Sequence, residues 1–251
     1  MIDYSIVIPA YNESGKITVS LTQIISFMNS FNDSYEIIVV DDGSTDATAV
    51  EIEEYQKDHQ KIRLIKNPHK GKGPTVWKGV MEARGKYIYI ADADLSSPME
   101  ELKKLSMWLI EHDYDVVIAS REGHGADRVE EPFYRHLMGR VFNFWVQLMA
   151  LPGIKDSQCG FKLFKSEVAK DVFSRLTIYG EKAQEREKAY LGAFDVEVLF
   201  VALKLGYKVK EVPVKWVYVD TTRLNPFSDS INMALDVLKV RLNNLKGVYK
   251  L

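Results

Sequence analysis

The first 120 residues alternate two hydrophobic patterns: short runs in which nearly every position is apolar, and longer stretches in which apolar residues return every three or four positions. The runs are Ser5-Ile6-Val7-Ile8, Glu36-Ile37-Ile38-Val39-Val40, Ile62–Ile65, Tyr87–Ile90 and Asp115–Ser120. Between them the spacing predicts helices over Lys16–Phe31, Asp46–His59, Pro74–Ala83 and Pro98–Glu111. β-Branched runs joined through helices predict parallel strands buried on both faces. Right-handed crossovers then wind them into an open, doubly wound α/β sheet. Gly85 is expected to end the third helix. Ser97-Pro98-Met99-Glu100 reads as a capping box for the fourth, with Ser97 as N-cap, Pro98 at the first helical position and Glu100 at the third.

Beyond Arg121 the texture changes. Glu122–Glu131 carries two glycines and several acids and reads as a mobile loop. Pro132–Leu151 is helical and unusually rich in large apolar side chains. Asp156–Phe164 ("DSQCGFKLF") reads as a strand with a polar mouth, and Glu181–Lys188 as a solvated loop or short helix. Ala193–Leu205 is helical and ends at Gly206. Lys208–Val219 alternates, with Pro213 marking an edge strand or bulge. Asp229–Leu245 is a closing amphipathic helix, expected to dock on the domain through Ile231, Leu235, Leu238, Leu242 and Leu245.

Composition narrows the function. With 251 residues, 46% of them hydrophobic and 27% charged, the chain is long enough for a sizeable core and is not disordered. A formal net charge of −2 argues against nucleic acid as a partner. One cysteine, Cys159, excludes an intrachain disulfide and a multi-cysteine metal site, and fits a small buried filler in a reducing, cytoplasmic setting. Residues 1–10 begin a strand and do not resemble a signal peptide. The longest apolar stretch, Val141–Leu151, is broken by Asn143 and Gln147, too short to span a bilayer. A membrane role would therefore be peripheral; Phe142, Phe144, Trp145, Val146, Leu148 and Met149 cover more than one helix face and are expected in the interface, with core packing as the alternative.

In an open α/β sheet, ligands bind beyond the carboxyl ends of the strands. Those ends carry Pro9-Ala10-Tyr11-Asn12-Glu13, Asp41-Asp42-Gly43-Ser44, Asp92-Ala93-Asp94 and Ser120-Arg121. Asp92 and Asp94 repel each other unless a cation neutralises them, and they offer the hard oxygens that Mg²⁺ or Mn²⁺ prefers. On their own they could equally be strand-end turn residues. Asp41 or Asp42 can accept from a base edge or ribose hydroxyls, and Tyr11 offers a flat face. Lys70-Gly71-Lys72-Gly73-Pro74 is a cationic loop before a helix N-terminus, a place that favours anions. Arg121, Arg135 and Arg140 follow the fifth strand, and Ser157, Gln158 and Lys162 line the mouth of "DSQCGFK".

"IVIPAYNE", "VVDDGSTD", "KGKG", "DADL" and "DSQCGFKLF", in that order, resemble family 2 inverting glycosyltransferases of the GT-A fold. "DSQCGFK", "FDVEVL" and "VPVKW" look most like the dolichyl-phosphate hexosyltransferases, the β-glucosyltransferases before the mannose synthases. The resemblance implies a single GT-A domain: residues 1–120 for the nucleotide-sugar, 121–225 for the acceptor, and 226–251 as a peripheral helix. It implies donor contacts from Pro9, Ala10, Tyr11, Glu13, Asp41, Lys72, Gly73 and the Asp92-Ala93-Asp94 turn, with Asp92 and Asp94 holding Mg²⁺ or Mn²⁺. It places Arg121 and Arg135 at the phosphate of a polyprenyl or dolichyl acceptor. Mannose synthases often carry Gln where this chain has Ser96, whose hydroxyl is a poorer and shorter metal ligand, and Ser where it has Gly139, so that second contact is lost. Asp195 and Glu197 occupy the region where other members carry a base, and are read as sugar-hydroxyl binders or positioning groups. For Asp195 a helix-cap role competes.

The expected reaction is transfer of glucose from UDP-glucose to a polyprenyl phosphate at the cytoplasmic face of a membrane. GDP-mannose as donor, or a sugar or protein hydroxyl as acceptor, are the rivals. A phospho-receiver domain fits the length and the Asp92-Ala93-Asp94 pair badly, and a dinucleotide oxidoreductase would need a Gly-x-Gly-x-x-Gly turn that is not here. A non-catalytic lipid or nucleotide binder is the remaining class.

Overall fold

In the computed structural model, which describes residues 2–31, 33–185, 192–219 and 226–249, the five apolar runs are strands and the stretches between them are helices. The chain runs β1 (Tyr4–Ala10), α1 (Ile17–Phe31), β2 (Tyr35–Asp41), α2 (Thr48–Asp58), β3 (Ile62–Lys66), α3 (Lys72–Glu82), β4 (Tyr87–Ile90), α4 (Glu101–Ile110) and β5 (Val116–Ser120). It continues through β6 (Asp127–Val129), α5 (Phe133–Met149), β7 (Lys162–Lys165), α6 (Ser166–Ser174), α7 (Phe194–Lys204), β8 (Val209–Pro213), β9 (Lys215–Val217) and α8 (Pro226–Leu245).

The main sheet has the order β3-β2-β1-β4-β7-β5-β8. All pairings are parallel except those of β7, which lies antiparallel between β4 and β5. Alternate strand residues feed two apolar clusters: Val7, Ile38, Val40, Ile88 and Ile118 on one face, Ile6, Ile8, Ile37, Val39 and Val117 on the other. That two-sided burial explains runs with no polar alternation. β8 is an edge strand ending at Pro213, where a missing N–H costs nothing.

The reversal of β7 positions the site. Ile90 pairs with Lys162 across β4–β7, so the residues two steps further on, Asp92 and Gly160, meet beyond the sheet edge. "DSQCG" therefore arrives at the same carboxyl edge as the parallel strands while running the other way. A sheet read as wholly parallel would have sent it to the opposite edge.

Several local expectations are corrected. α4 begins at Glu101, and its N-cap, Glu100, makes no side-chain cap bond. Ser97 Oγ is buried without a partner, so the capping box does not form. Gly85 does not cap α3; its N–H donates to Ser5 Oγ, and a Cβ there would meet Ser5 N at 2.6 Å. Its role is to let the chain pass β1. The strand expected over Asp156–Phe164 begins only at Lys162. The Glu122–Glu131 segment contains β6, paired with β9, and is laced by Arg128, which bonds Glu122, Glu131 and the Arg121 carbonyl. Arg140 adds a contact to Glu122. Part of the charged run at Glu181–Lys188 lies outside the described residues.

α8 docks on α5 and α7, but not through the expected face. Met233, Val237 and Val240 are buried, whereas Ile231, Leu235, Leu242 and Leu245 are exposed. α5 divides likewise. Val146 is buried, Phe142, Trp145 and Met149 pack against the core, and Phe144 and Leu148 face solvent with Phe133, Leu137 and Val141. Trp145 Nε1 donates to the Ala234 carbonyl and ties the two helices together.

Candidate active site

At the β2 end, the two neighbouring carboxylates do different work. The Asp42 carboxylate accepts from Lys70 N and Gly71 N at 2.9 Å each, and its backbone carbonyl lies 3.0 Å from His69 Nδ1. It is the pin of the loop before α3. Asp41 Oδ2 accepts from Ser44 N, while its Oδ1 is buried with no partner. A buried carboxylate oxygen without a protein donor is costly unless another group supplies an N–H or O–H. Tyr11 stacks on His69 with ring centroids 4.3 Å apart, so one face of its ring is already covered. His69 Nε2 is also buried and unpartnered. His69 is not among the sequence-predicted site residues; its only signal is its place directly before the cationic loop. The Pro9–Glu13 turn is pinned by Thr48 Oγ1, which accepts from Glu13 N, and by Ser44 Oγ, which accepts from Asn12 N.

Asp92 and Asp94 follow β4. Asp94 accepts from Ser96 N at 3.0 Å, and burial, reinforced by the charge of Asp92, pushes its carboxyl up. Lys72, the first residue of α3, donates its ammonium to Asp92. Burial alone would depress that ammonium; Asp92, Asp195 and Asp94 together hold it above its ordinary value. Gly73 is indispensable to this approach, because a Cβ there would lie 2.7 Å from both Phe194 and Tyr179. Gly71, the N-cap, has φ +89°, a conformation open to glycine.

A cavity of about 290 Å³ opens beside these groups, walled by Lys72, Arg121, Arg135, Gln158, Asp195, Trp216 and Tyr218. Its two arginines differ. Arg121 is held bidentately by Asp156, at 2.8 and 2.9 Å, and its charge is matched. Burial would raise the Asp156 carboxyl, but the Arg121 guanidinium outweighs it and holds Asp156 below the usual carboxylate range. Glu211 fixes this pair by accepting from Lys155 N and Asp156 N. Arg135 has no carboxylate partner among the described residues, and its Nε is buried and unbonded. The two guanidinium groups lie 5.1 Å from the ring centroids of Trp216 and Tyr218 respectively. Residues two apart on and just beyond β9 point the same way, so the β6–β9 ribbon offers both rings as a ledge. That period of two in "KWVYV" was the available sequence signal.

Other expected acceptor residues fall elsewhere. Lys162 is 1% exposed, does not line the cavity, and gives its ammonium to Asp195 and the Cys159 carbonyl. Ser157 is buried and also off the cavity wall. Asp195 lines the cavity but caps nothing: α7 has no side-chain cap. Burial raises its carboxyl while Lys162 pulls it down. Glu197 lies away from the cavity, accepting from Thr177, Ile178 and Tyr179 N–H groups and from Tyr249 OH. Asn143, on α5, meets the cavity with a buried, unpartnered Oδ1.

The site can thus place an anionic leaving group beside paired carboxylates and a lysine, and a second anion at Arg135. Comparison with known proteins agrees in kind. The family model for Glycosyl transferase family 2 matches residues 5–173. The dolichyl-phosphate beta-glucosyltransferase of Dictyostelium discoideum is 38% identical over 98% of this chain and 76% of its own. The Homo sapiens dolichyl-phosphate beta-glucosyltransferase is 32% identical over 98% of this chain and 77% of its own. Among solved structures, mannosyl-3-phosphoglycerate synthase from Rubrobacter xylanophilus superposes with a TM-score of 0.66 at 17% identity, covering 100% of this chain and 76% of that one. The mannosyltransferase PcManGT from Pyrobaculum calidifontis, in complex with GDP-Man and Mn²⁺, gives 0.61 at 18% identity; the alignment covers 97% of this chain and 64% of the mannosyltransferase.

Proposed function

The chain belongs to glycosyl transferase family 2, and from that premise we propose that it transfers glucose from UDP-glucose to dolichyl phosphate or a related polyprenyl phosphate. The carrying observation is the cavity joining Lys72 and Asp195 to Arg135, a cation with no carboxylate of its own among the described residues. The relatives' names supply the sugar and the lipid.

The uracil and ribose lie against Tyr11 and Asp41, whose open Oδ1 accepts a ligand N–H or O–H. Mg²⁺ or Mn²⁺ suits Asp92 and Asp94, since such ions take one or two carboxylates and complete their shell with substrate phosphates and water. When bound, the ion would neutralise charge on the departing diphosphate.

Arg135 holds the acceptor phosphate over the ledge of Trp216 and Tyr218, and Arg121, fixed by Asp156, walls the same space. A phosphomonoester is largely dianionic at neutral pH and is already a nucleophile. One of its oxygens attacks the anomeric carbon from the face opposite the diphosphate; the new C–O bond forms as the bond to UDP breaks, inverting the centre. No general base is needed, and Asp195, paired with Lys162, is a positioning group. The rate comes from holding two anions in line.

The exposed apolar residues of α5 and α8 form the face proposed to lie on the membrane that carries the acceptor, at its cytoplasmic side. No described helix is long and apolar enough to cross it. The test is incubation with labelled UDP-glucose, metal and polyprenyl phosphate. Label entering the organic phase supports the reading. Label from GDP-mannose alone would change the donor, and no lipid-soluble label from either would overturn the acceptor.

A further inference from the structure

Lys72 and a divalent cation have use for the same carboxylate. The Lys72 ammonium donates to Asp92 Oδ1, and Asp92 is one of only two carboxylates offered to the metal in the reading above, on which this inference rests. Two cations cannot share that oxygen without strong repulsion. Yet Lys72 is not confined to Asp92. Its side chain is 20% exposed, it starts α3 directly after Gly71, and it forms part of the cavity wall with Asp195 and Arg135. Four rotatable methylenes let its ammonium turn from Asp92 toward the cavity without moving α3.

We propose that Lys72 is a positioning residue that exchanges partners, holding Asp92 until metal and nucleotide arrive and then turning to the donor diphosphate. While Lys72 pairs with Asp92 it neutralises the Asp92–Asp94 repulsion. A metal ion arriving alone must displace it into a cavity where Asp195 is already paired with Lys162, Asp156 with Arg121, and Glu122 and Glu131 with Arg128. A diphosphate supplies the displaced ammonium with a new anion. Metal and nucleotide therefore bind each other's complex more tightly than the free chain, and by linkage the enhancement is equal in both directions.

The measurement is calorimetric titration of the full chain with Mn²⁺, with and without saturating UDP, in wild type, Lys72→Met and Lys72→Gln. Without UDP, Lys72→Met should bind Mn²⁺ about tenfold more tightly than wild type, a competing contact of ~1.4 kcal/mol. The gain in Mn²⁺ affinity on adding UDP should shrink by a similar factor. If Lys72→Met is too unstable without metal, Lys72→Gln carries the same comparison. A lysine serving only the fold would lower melting temperature and Mn²⁺ affinity together. Unchanged or weaker Mn²⁺ binding in the folded variants overturns the exchange. Mn²⁺ binding that survives Asp92→Asn undiminished overturns the metal reading itself, and the exchange with it.

Discussion

Gly160 and Asp92 lie so close that a Cβ on Gly160 would sit 1.9 Å from Asp92 Oδ2. Antiparallel pairing of β7 with β4 brings them together, and the missing side chain lets the carboxylate stand where it does. In Gly160→Ala the obstruction falls on the end of a side chain, which can rotate away. The variant should fold with a melting temperature within a few degrees of wild type. Its Mn²⁺ affinity and turnover should each fall at least tenfold, because Asp92 has been turned out of the site. Calorimetry and thermal unfolding on the same preparation check both halves.

Asp41 and Asp42 should separate by assay. Asp41→Asn exchanges the open carboxylate oxygen for a neutral amide. UDP binding should weaken about tenfold to a hundredfold, the worth of a charged hydrogen bond of ~1.5–3 kcal/mol, with little change in stability. Asp42→Asn loosens the His69–Gly71 loop and should lower the melting temperature as well as affinity. UDP titration beside melting curves distinguishes them.

Arg121 and Arg135 should separate too. Arg135→Met should raise the KM for polyprenyl phosphate at unchanged stability. Arg121→Met leaves Asp156 as an uncompensated buried charge and should cost about 3–5 kcal/mol at neutral pH.

The pH response of Asp156 should change sign with its partner. In wild type its folded pKa is depressed, so its stabilisation is present above the unfolded value of about 3.9 and is lost as pH falls through the lower folded value. In Arg121→Met, burial without the guanidinium raises the folded pKa, and acidification from pH 7 toward 4 should recover stability that wild type does not gain. Denaturant midpoints across that range read the difference.

Phe144→Glu combined with Leu148→Glu replaces two exposed side chains of α5, 69% and 67% exposed, and should change stability by no more than about 0.5 kcal/mol per site. Sedimentation with anionic vesicles should fall severalfold, and so should turnover on long-chain acceptor. Turnover on a short, water-soluble prenyl phosphate should be retained.

The strands and their order of use were legible because burial on both faces leaves an unmistakable apolar run, and the strand-end motifs then mark one edge. What escaped was what pairing decides. Nothing in "FKLF" says that it runs antiparallel, so neither the meeting of Gly160 with Asp92 nor the enclosure of Lys162 could be read from spacing. An amphipathic helix such as α8 announces a stripe of leucines, yet Met233, Val237 and Val240 are the apolar residues it buries. Trp216 and Tyr218 acquire meaning only when β9 pairs with β6 and sets both rings beneath arginines.

The family match ends at residue 173, and all the strand-end motifs lie inside it. The wall they lean on does not. Gly73 packs against Tyr179 and Phe194; the Tyr179 hydroxyl donates to Asp236 of α8 and accepts from Ala193 N. Glu197 gathers the same Thr177–Tyr179 turn and the hydroxyl of Tyr249. A protein trimmed to the motif-bearing segment would retain every named carboxylate of the strand ends while the first turn of α3 lost its backing. The smallest transplantable module of this enzyme therefore runs at least to Tyr249, and loop grafts or chimaeras should place their junctions outside it.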